Sequence, residues 1–292
     1  MQVPFHITSG DSVGDRLAQT GLPGDILVWR DVLYDGRRKP GWPDAATLDA
    51  RAAMLEASTG GGIDRARVLN MLRRQYRELE EAAPARPVVL WFDACLFDQA
   101  MLAHVLACLR VQRAQDVALI CIDAFPGIEP YHGLGQLRPE QLASRHGGRQ
   151  PVVAAQYDFA VEADRAFAEQ DFDALSRLAR MADAPLPWMP AAAARWLAEQ
   201  PDPVTGLGRL ATLALEAIRA GCDKPAAIFA AVAAADPPPQ YWGDTRLWWK
   251  INELAECKPP LVRIEGPAER LPQWGSAPPL GTFRIVPIAT SR

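Results

Sequence analysis

The run Val3-Pro4-Phe5-His6-Ile7-Thr8-Ser9-Gly10-Asp11-Ser12 decides the fold. A β-prone stretch, Val3 to Thr8, meets a glycine and then a helix-like stretch, Ser12 to Gln19. A strand, a Gly-containing turn and a helix make the opening unit of an α/β sheet. Three more β-rich runs follow at Ile26–Trp29, Pro87–Phe92 and Val117–Ile122. The last two are apolar without alternation, as strands buried on both faces require. Helical patterns at Asp44–Ala57, Asp64–Ala83 and Leu96–Val111 separate them. Strands alternating with helices predict a Rossmann-like parallel sheet with right-handed crossovers over residues 1–130.

Beyond that point the pattern turns helical. Pro139–Ser144, Val153–Gln170, Asp171–Ala182 and Pro190–Glu199 form a helical connecting region, 131–203. Prolines near Ala184–Pro203, at Pro237-Pro238-Pro239 and beyond Lys258 mark joints. The segment 204–292 then reads as helices Leu207–Ala220, Pro225–Ala235 and Tyr241–Glu256 and strands Leu261–Glu265 and Thr282–Ile288. Three helices and a hairpin predict a winged-helix-like module.

Composition bounds the function. The chain has 292 residues, a net charge of −4 and 49% hydrophobic residues, the balance of a globular protein of ordinary domains. The negative charge argues against nucleic acid as a partner. The Tyr241–Glu256 helix argues the same way. It mixes Arg246 and Lys250 with Asp244, Glu253 and Glu256, and Trp242, Trp248 and Trp249 suit packing. Five cysteines without a C-x-x-C pair, no signal-peptide pattern and no apolar run of spanning length point to a cytoplasmic protein without a membrane partner.

In open parallel sheets, ligands bind outside the carboxyl ends of the strands. Here each strand end is followed by aspartate: Asp11, Asp31, Asp93 with Asp98 and Gln99, and Asp123. One expectation is a shared rim in which Asp11, Asp31 and Asp93 hold Mg²⁺. The competing expectation is that Asp11, Asp93 and Asp123 serve as helix N-caps. Gly10 and Ser12 offer backbone N–H groups and a hydroxyl to an anion, and Arg30 adds charge. His6, within the first strand, is a packed residue unless it faces the rim, where it would carry protons. Cys95 stands near a helix start, which lowers a thiol pKa, but with no partner in sequence it reads as a buried thiol. Arg37-Arg38-Lys39 reads as a solvated loop.

Gly10-Asp11-Ser12 also opens the GDSL-type serine hydrolases. Those need a late D-x-x-H, and the histidines here, at 6, 104, 132 and 146, do not supply it. The leading expectation is therefore a small-molecule site for a phosphorylated or nucleotide-like ligand, with Mg-assisted phosphoryl transfer or hydrolysis as its chemistry. A non-catalytic regulator or adaptor, engaging a protein or, less favoured, DNA through its helical half, is the alternative from another class, and a GDSL-like serine hydrolase acting through Ser12 is the third.

Several ordered motifs resemble domain-of-unknown-function family 1835. They are His6–Ser12, Trp29-Arg30-Asp31-Val32-Leu33 ending in Gly36, and Leu90–Gln99. Gly133-Leu134-Gly135-Gln136-Leu137 with Pro139–Leu142 follows, then Gly206-Leu207-Gly208-Arg209 and Gly243-Asp244. The resemblance spans nearly the whole chain. It departs where the family often has a His-Asp pair, here Ala94-Cys95, where it often has Pro, here Arg37, and where it often has Thr-Glu, here Leu210-Ala211. It implies the α/β-plus-helical layout and brings no activity with it.

Overall fold

The structure, a computed structural model, describes residues 2–60, 62–273 and 278–288. The chain divides into two units, one of residues 1–54 and 66–197, the other of residues 55–65 and 198–292.

The first unit is built on a mixed sheet. Its strands are β1 (Phe5–Ser9), β2 (Asp25–Trp29), β3 (Val88–Asp93), β4 (Val117–Ile122) and the short β5 (Gln150–Pro151). Their order is β2-β1-β3-β4-β5, parallel except for β5 on β4. The helices are α1 (Asp11–Ala18), α2 (Ala45–Ser58, whose residues 55–58 belong to the second unit), α3 (Arg65–Ala82), α4 (Leu96–Val111), α5 (Pro139–Arg145), α6 (Ala154–Glu169), α7 (Phe172–Ala179) and α8 (Met189–Ala198). The parallel α/β layout read from the first half is the observed one. β5 was not foreseen, because two residues are too few to leave a pattern.

The chain leaves β1 toward β2 in one direction and returns past β1 to β3 in the other. The strand order therefore reverses between β1 and β3, and right-handed crossovers put α1 on one face of the sheet and α3 and α4 on the opposite one. On the α1 face, Val13 and Leu17 pack with Val89, Trp91, Ile120 and Leu134. On the other face, α4 is buried nearly all round, from Leu96 to Leu109, because α6 covers its outer side. Apart from Asp98, Gln99, His104 and Arg110 its sequence is apolar for that reason.

The second unit holds α9 (Arg209–Arg219), α10 (Pro225–Ala235) and α11 (Asp244–Glu256), followed by the antiparallel pair β6 (Val262–Glu265) and β7 (Arg284–Pro287). Leu210, Ile218, Ile228, Leu247 and Ile251 close its core together with Val262 and Ile285. Trp242 and Trp248 are buried, as packing tryptophans should be, and the Trp242 indole N–H donates to Asp236 at 2.8 Å. The Asn252 amide bonds both backbone groups of Leu271. The last strand is shorter than its β-rich run because Leu280–Thr282 forms a 3-10 turn.

Gly14 sets how closely α1 lies on the sheet. A Cβ built there would drive into Val28 Cγ2, whose β-branched side chain has little rotamer freedom. Gly14→Ala would gain up to about 1 kcal/mol of helix propensity. Overpacking of this kind costs about 1–3 kcal/mol. The clash wins, so Gly14→Ala lowers unfolding stability in urea by a net ~1–2 kcal/mol. An unchanged or raised midpoint would show that α1 does not seat on β2 in this way.

Candidate functional site

The reversal point between β1 and β3 is where an open parallel sheet offers a crevice. The carboxyl ends of both strands are tied by one side chain, Asp98 in the first turn of α4. Ser9 Oγ donates to Asp98 Oδ1 at 2.6 Å, and the Asp93 backbone N–H donates to Asp98 Oδ2 at 2.6 Å. Gln99 donates from Nε2 to the Asp93 carbonyl at 2.6 Å and to Cys121 Sγ at 3.3 Å, while its Oε1 is buried without a protein partner.

The Asp93 carboxylate faces the α1 side and takes two donors from the chain beyond β4. The Tyr131 hydroxyl donates to Oδ1 and the Leu134 N–H to Oδ2, each at 2.7 Å. Gly133 makes that approach possible. Its φ is +143°, and an added Cβ would sit 2.6 Å from Asp93 Oδ2. The 3-10 turn Leu134–Gln136 thus lies beside the strand ends, with Gly135 next to Ser12 Oγ. Arg16 Nη1 holds the turn by donating to the Leu137 carbonyl at 2.7 Å.

Two buried carboxyls so close share their charge badly. Burial pushes Asp98 up to about 8, aided by the charge of Asp93 and opposed by the Ser9 and Asp93 N–H bonds. Burial raises Asp93 to about 6 against the Tyr131 and Leu134 bonds. Near neutrality the pair holds about one proton, which belongs to the pair.

The remaining rim residues have other surroundings. Asp11 and Arg30 form an exposed ion pair, in which Arg30 Nε donates to Asp11 Oδ1 at 3.0 Å. Gly10, with φ +69°, precedes α1, and no side chain caps that helix. Asp11 lies inside the helix and Asp93 ends β3, so neither is an N-cap. Asp31 is buried. Its Oδ1 accepts from Arg51 Nη2 at 2.5 Å and from the Val32 N–H at 2.7 Å. Asp123 is exposed beyond β4. Among the described residues, no group of three or more His, Cys, Asp or Glu side chains is placed to hold a metal ion.

His6 is the second residue of β1, toward the end away from the rim. The Trp91 indole N–H donates to His6 Nδ1 at 3.1 Å, so the ring proton is on Nε2, 3.2 Å from the Pro23 carbonyl it can donate to. Burial lowers its pKa, and the ring is neutral. Cys95 begins α4 as its N-cap, yet burial pushes its thiol well up, with Asp98 and Asp93 adding to the shift. It is a buried thiol, as its lack of a partner in the sequence suggested.

A second polar cluster lies on the opposite face of the sheet, and sequence patterns did not reveal it. Arg38 is buried, correcting the expectation of a solvated basic loop. Its Nη2 donates to Asp164 Oδ1 of α6 at 2.5 Å. Asp164 also accepts the Gly41 N–H at 2.6 Å. His104 Nδ1 lies 3.0 Å from Asp164 Oδ1; a carboxylate only accepts, so Nδ1 carries the proton. His104 Nε2 then accepts the Tyr76 hydroxyl at 2.6 Å. Burial lowers His104, whose ring is neutral. The signal available in sequence was a histidine and an aspartate each inside an apolar helix, at 104 and 164. A groove of about 400 Å³ between α6 and α7, lined by Glu162, Arg165, Asp171, Arg177 and Met181, involves neither cluster.

No protein-family model matches the chain, and no curated protein matches it either.

The acid pair gives a pH signature. Both folded pKa values lie above the ~3.9 of a free aspartate. Between about pH 4 and 8 the folded protein therefore keeps protons that the unfolded chain has lost, and the pair costs stability as pH rises. Asp98→Asn keeps an acceptor for the Asp93 N–H and a partner for Ser9 Oγ without the charge. Each tenfold change in proton affinity is worth about 1.4 kcal/mol. The variant should match the parent at pH 4 and exceed it at pH 8 by roughly 2 kcal/mol or more. His6 and His104, with lowered pKa values, act oppositely as pH falls below about 6.5, so the difference between variants isolates the pair. A constant difference across pH 4–8 in urea melts would refute it.

Proposed function

We propose that the protein binds a phosphorylated or nucleotide-like small molecule at the β1/β3 strand-end rim. The supporting observation is the reversal of strand order there, with the uncapped start of α1 beside it. In this reading the N–H groups following Gly10 and the Ser12 hydroxyl meet the anionic group. Arg30 turns from Asp11 to neutralise it, and Asp11 accepts from a sugar hydroxyl. The Tyr131–Gln136 turn bounds the other side.

Asp31 and Asp93 already accept two or more protein donors each. A Mg²⁺ ion in this reading enters with the ligand's phosphates and meets Asp11. The Asp93–Asp98 pair is the natural store for a proton if phosphoryl transfer or hydrolysis takes place. The ordered motifs that resemble domain-of-unknown-function family 1835 fall largely on these elements, and we propose membership of that family on that ground. The order of α9, α10, α11 and the β6–β7 pair supports a winged-helix reading of the second unit, in a role of protein engagement.

Asp31 is unsuited to testing the site, because its loss strands the buried Arg51 charge at a cost of about 3–5 kcal/mol. Arg30 and Ser12 carry no such burden. Adenosine mono-, di- and triphosphate and ribose 5-phosphate, with and without Mg²⁺, are expected to raise the melting temperature of the parent chain. Arg30→Ala and Ser12→Ala should weaken that response at least tenfold in concentration while leaving the circular dichroism spectrum unchanged. If none of these compounds shifts the parent at millimolar concentration, the reading is wrong.

A further inference from the structure

The cluster around His104 holds three buried N–H donors without a protein acceptor. They are Trp29 Nε1, Arg38 Nε and Gln75 Nε2. All three side chains are at least nine-tenths buried. They belong to one neighbourhood. The Trp29 ring meets the Tyr76 ring edge-on at 4.9 Å and lies 6.0 Å from His104. Arg38 Nη1 is 3.3 Å from His104 Nδ1. Gln75 precedes Tyr76 in α3, and its Oε1 accepts the N–H of Arg30, the residue after Trp29.

A buried unmade donor costs about 1–3 kcal/mol, so three together are a large charge against a fold of ordinary stability. Their polarity is uniform. Each gives a proton and none accepts one, so the complementary group is rich in acceptors and poor in donors. The nearby Arg38–Asp164 and Arg51–Asp31 pairs each balance internally. A phosphate dianion would bring two uncompensated charges into the interior. A carboxylate brings one, and it has the two oxygens that an arginine Nε–H and a neighbouring donor can share.

We propose that Trp29, Arg38 and Gln75 form an internal binding site for a small carboxylate, on the sheet face opposite the Tyr131 turn. The Arg38 N–H faces one carboxylate oxygen, and the indole and amide N–H groups complete the set. Tyr76 and His104, locked to each other and to Asp164, form its polar wall. Trp42, half-buried with its ring 5.4 Å from Tyr76, is the outermost aromatic of the group. The loop that carries Arg38, Gly41 and Trp42 is the element that would admit the ligand. This site does not depend on the rim reading.

The test is thermal melting of the full chain at pH 7 in formate or acetate against chloride at equal ionic strength. A saturable rise of several degrees with the carboxylates, beyond that in chloride, is expected. Trp29→Phe, which deletes the indole donor, and Gln75→Met, which deletes the amide donor together with the acceptor of the Arg30 N–H, should lose most of that rise. Arg30→Ala should keep it, which separates this site from the rim. Carboxylates that act no differently from chloride overturn the proposal, and so does a response that survives intact in both donor variants. In Arg30→Ala, where the rim is weakened, a response to phosphate equal to that to acetate also overturns it. If Trp29→Phe does not fold, the parent titration and Gln75→Met still decide the matter.

Discussion

Asp98 is the side chain on which the first unit turns. Its two oxygens reach Ser9, at the end of β1, and the backbone of Asp93, at the end of β3. Those strands are neighbours in the sheet but 79 or more residues apart in the chain, and α4 starts from the same point. One carboxyl group therefore fixes the spacing of two central strands and the start of the most buried helix. Because the group is buried beside Asp93, it holds its proton far more tightly than an ordinary aspartate. The rim's raised proton affinity is a direct result of how the two strand ends are tied together.

The parallel sheet was legible in the sequence because short β-prone runs alternate there with longer helical ones. Pro87–Phe92 and Val117–Ile122 announced themselves by the absence of alternation, and β3 is buried along its whole length. The rim aspartates were legible as residues that follow strands, but their partners were not. Arg51 lies 20 residues beyond Asp31, and Tyr131 lies 38 beyond Asp93. No local pattern links such pairs. Arg38 was misread for the same reason, since a basic tripeptide says nothing about an aspartate on α6.

The two polar clusters solve the burial of charge differently. At the rim, two acids meet and share a proton. On the opposite face, Arg38 and Asp164 keep their charges and enlist a neutral histidine and a tyrosine as hydrogen-bonding neighbours. Like charges raise proton affinity, and opposite charges remove the need for the proton. Both clusters cross from one secondary-structure element to another, so each also fixes geometry that apolar packing alone leaves less sharply defined.

The placement of β1 between β2 and β3 has a consequence for the order of assembly. The β1–α1–β2 unit is complete once residue 29 has been made, yet the other edge of β1 finds its partner only when residues 88–91 arrive. The bond from Ser9 to Asp98 waits longer still. During synthesis β1 therefore stands with one open edge for about sixty residues of further chain, a template for mispairing. His6, near the start of that edge, carries a polar ring whose final partner, Trp91, is also late to arrive.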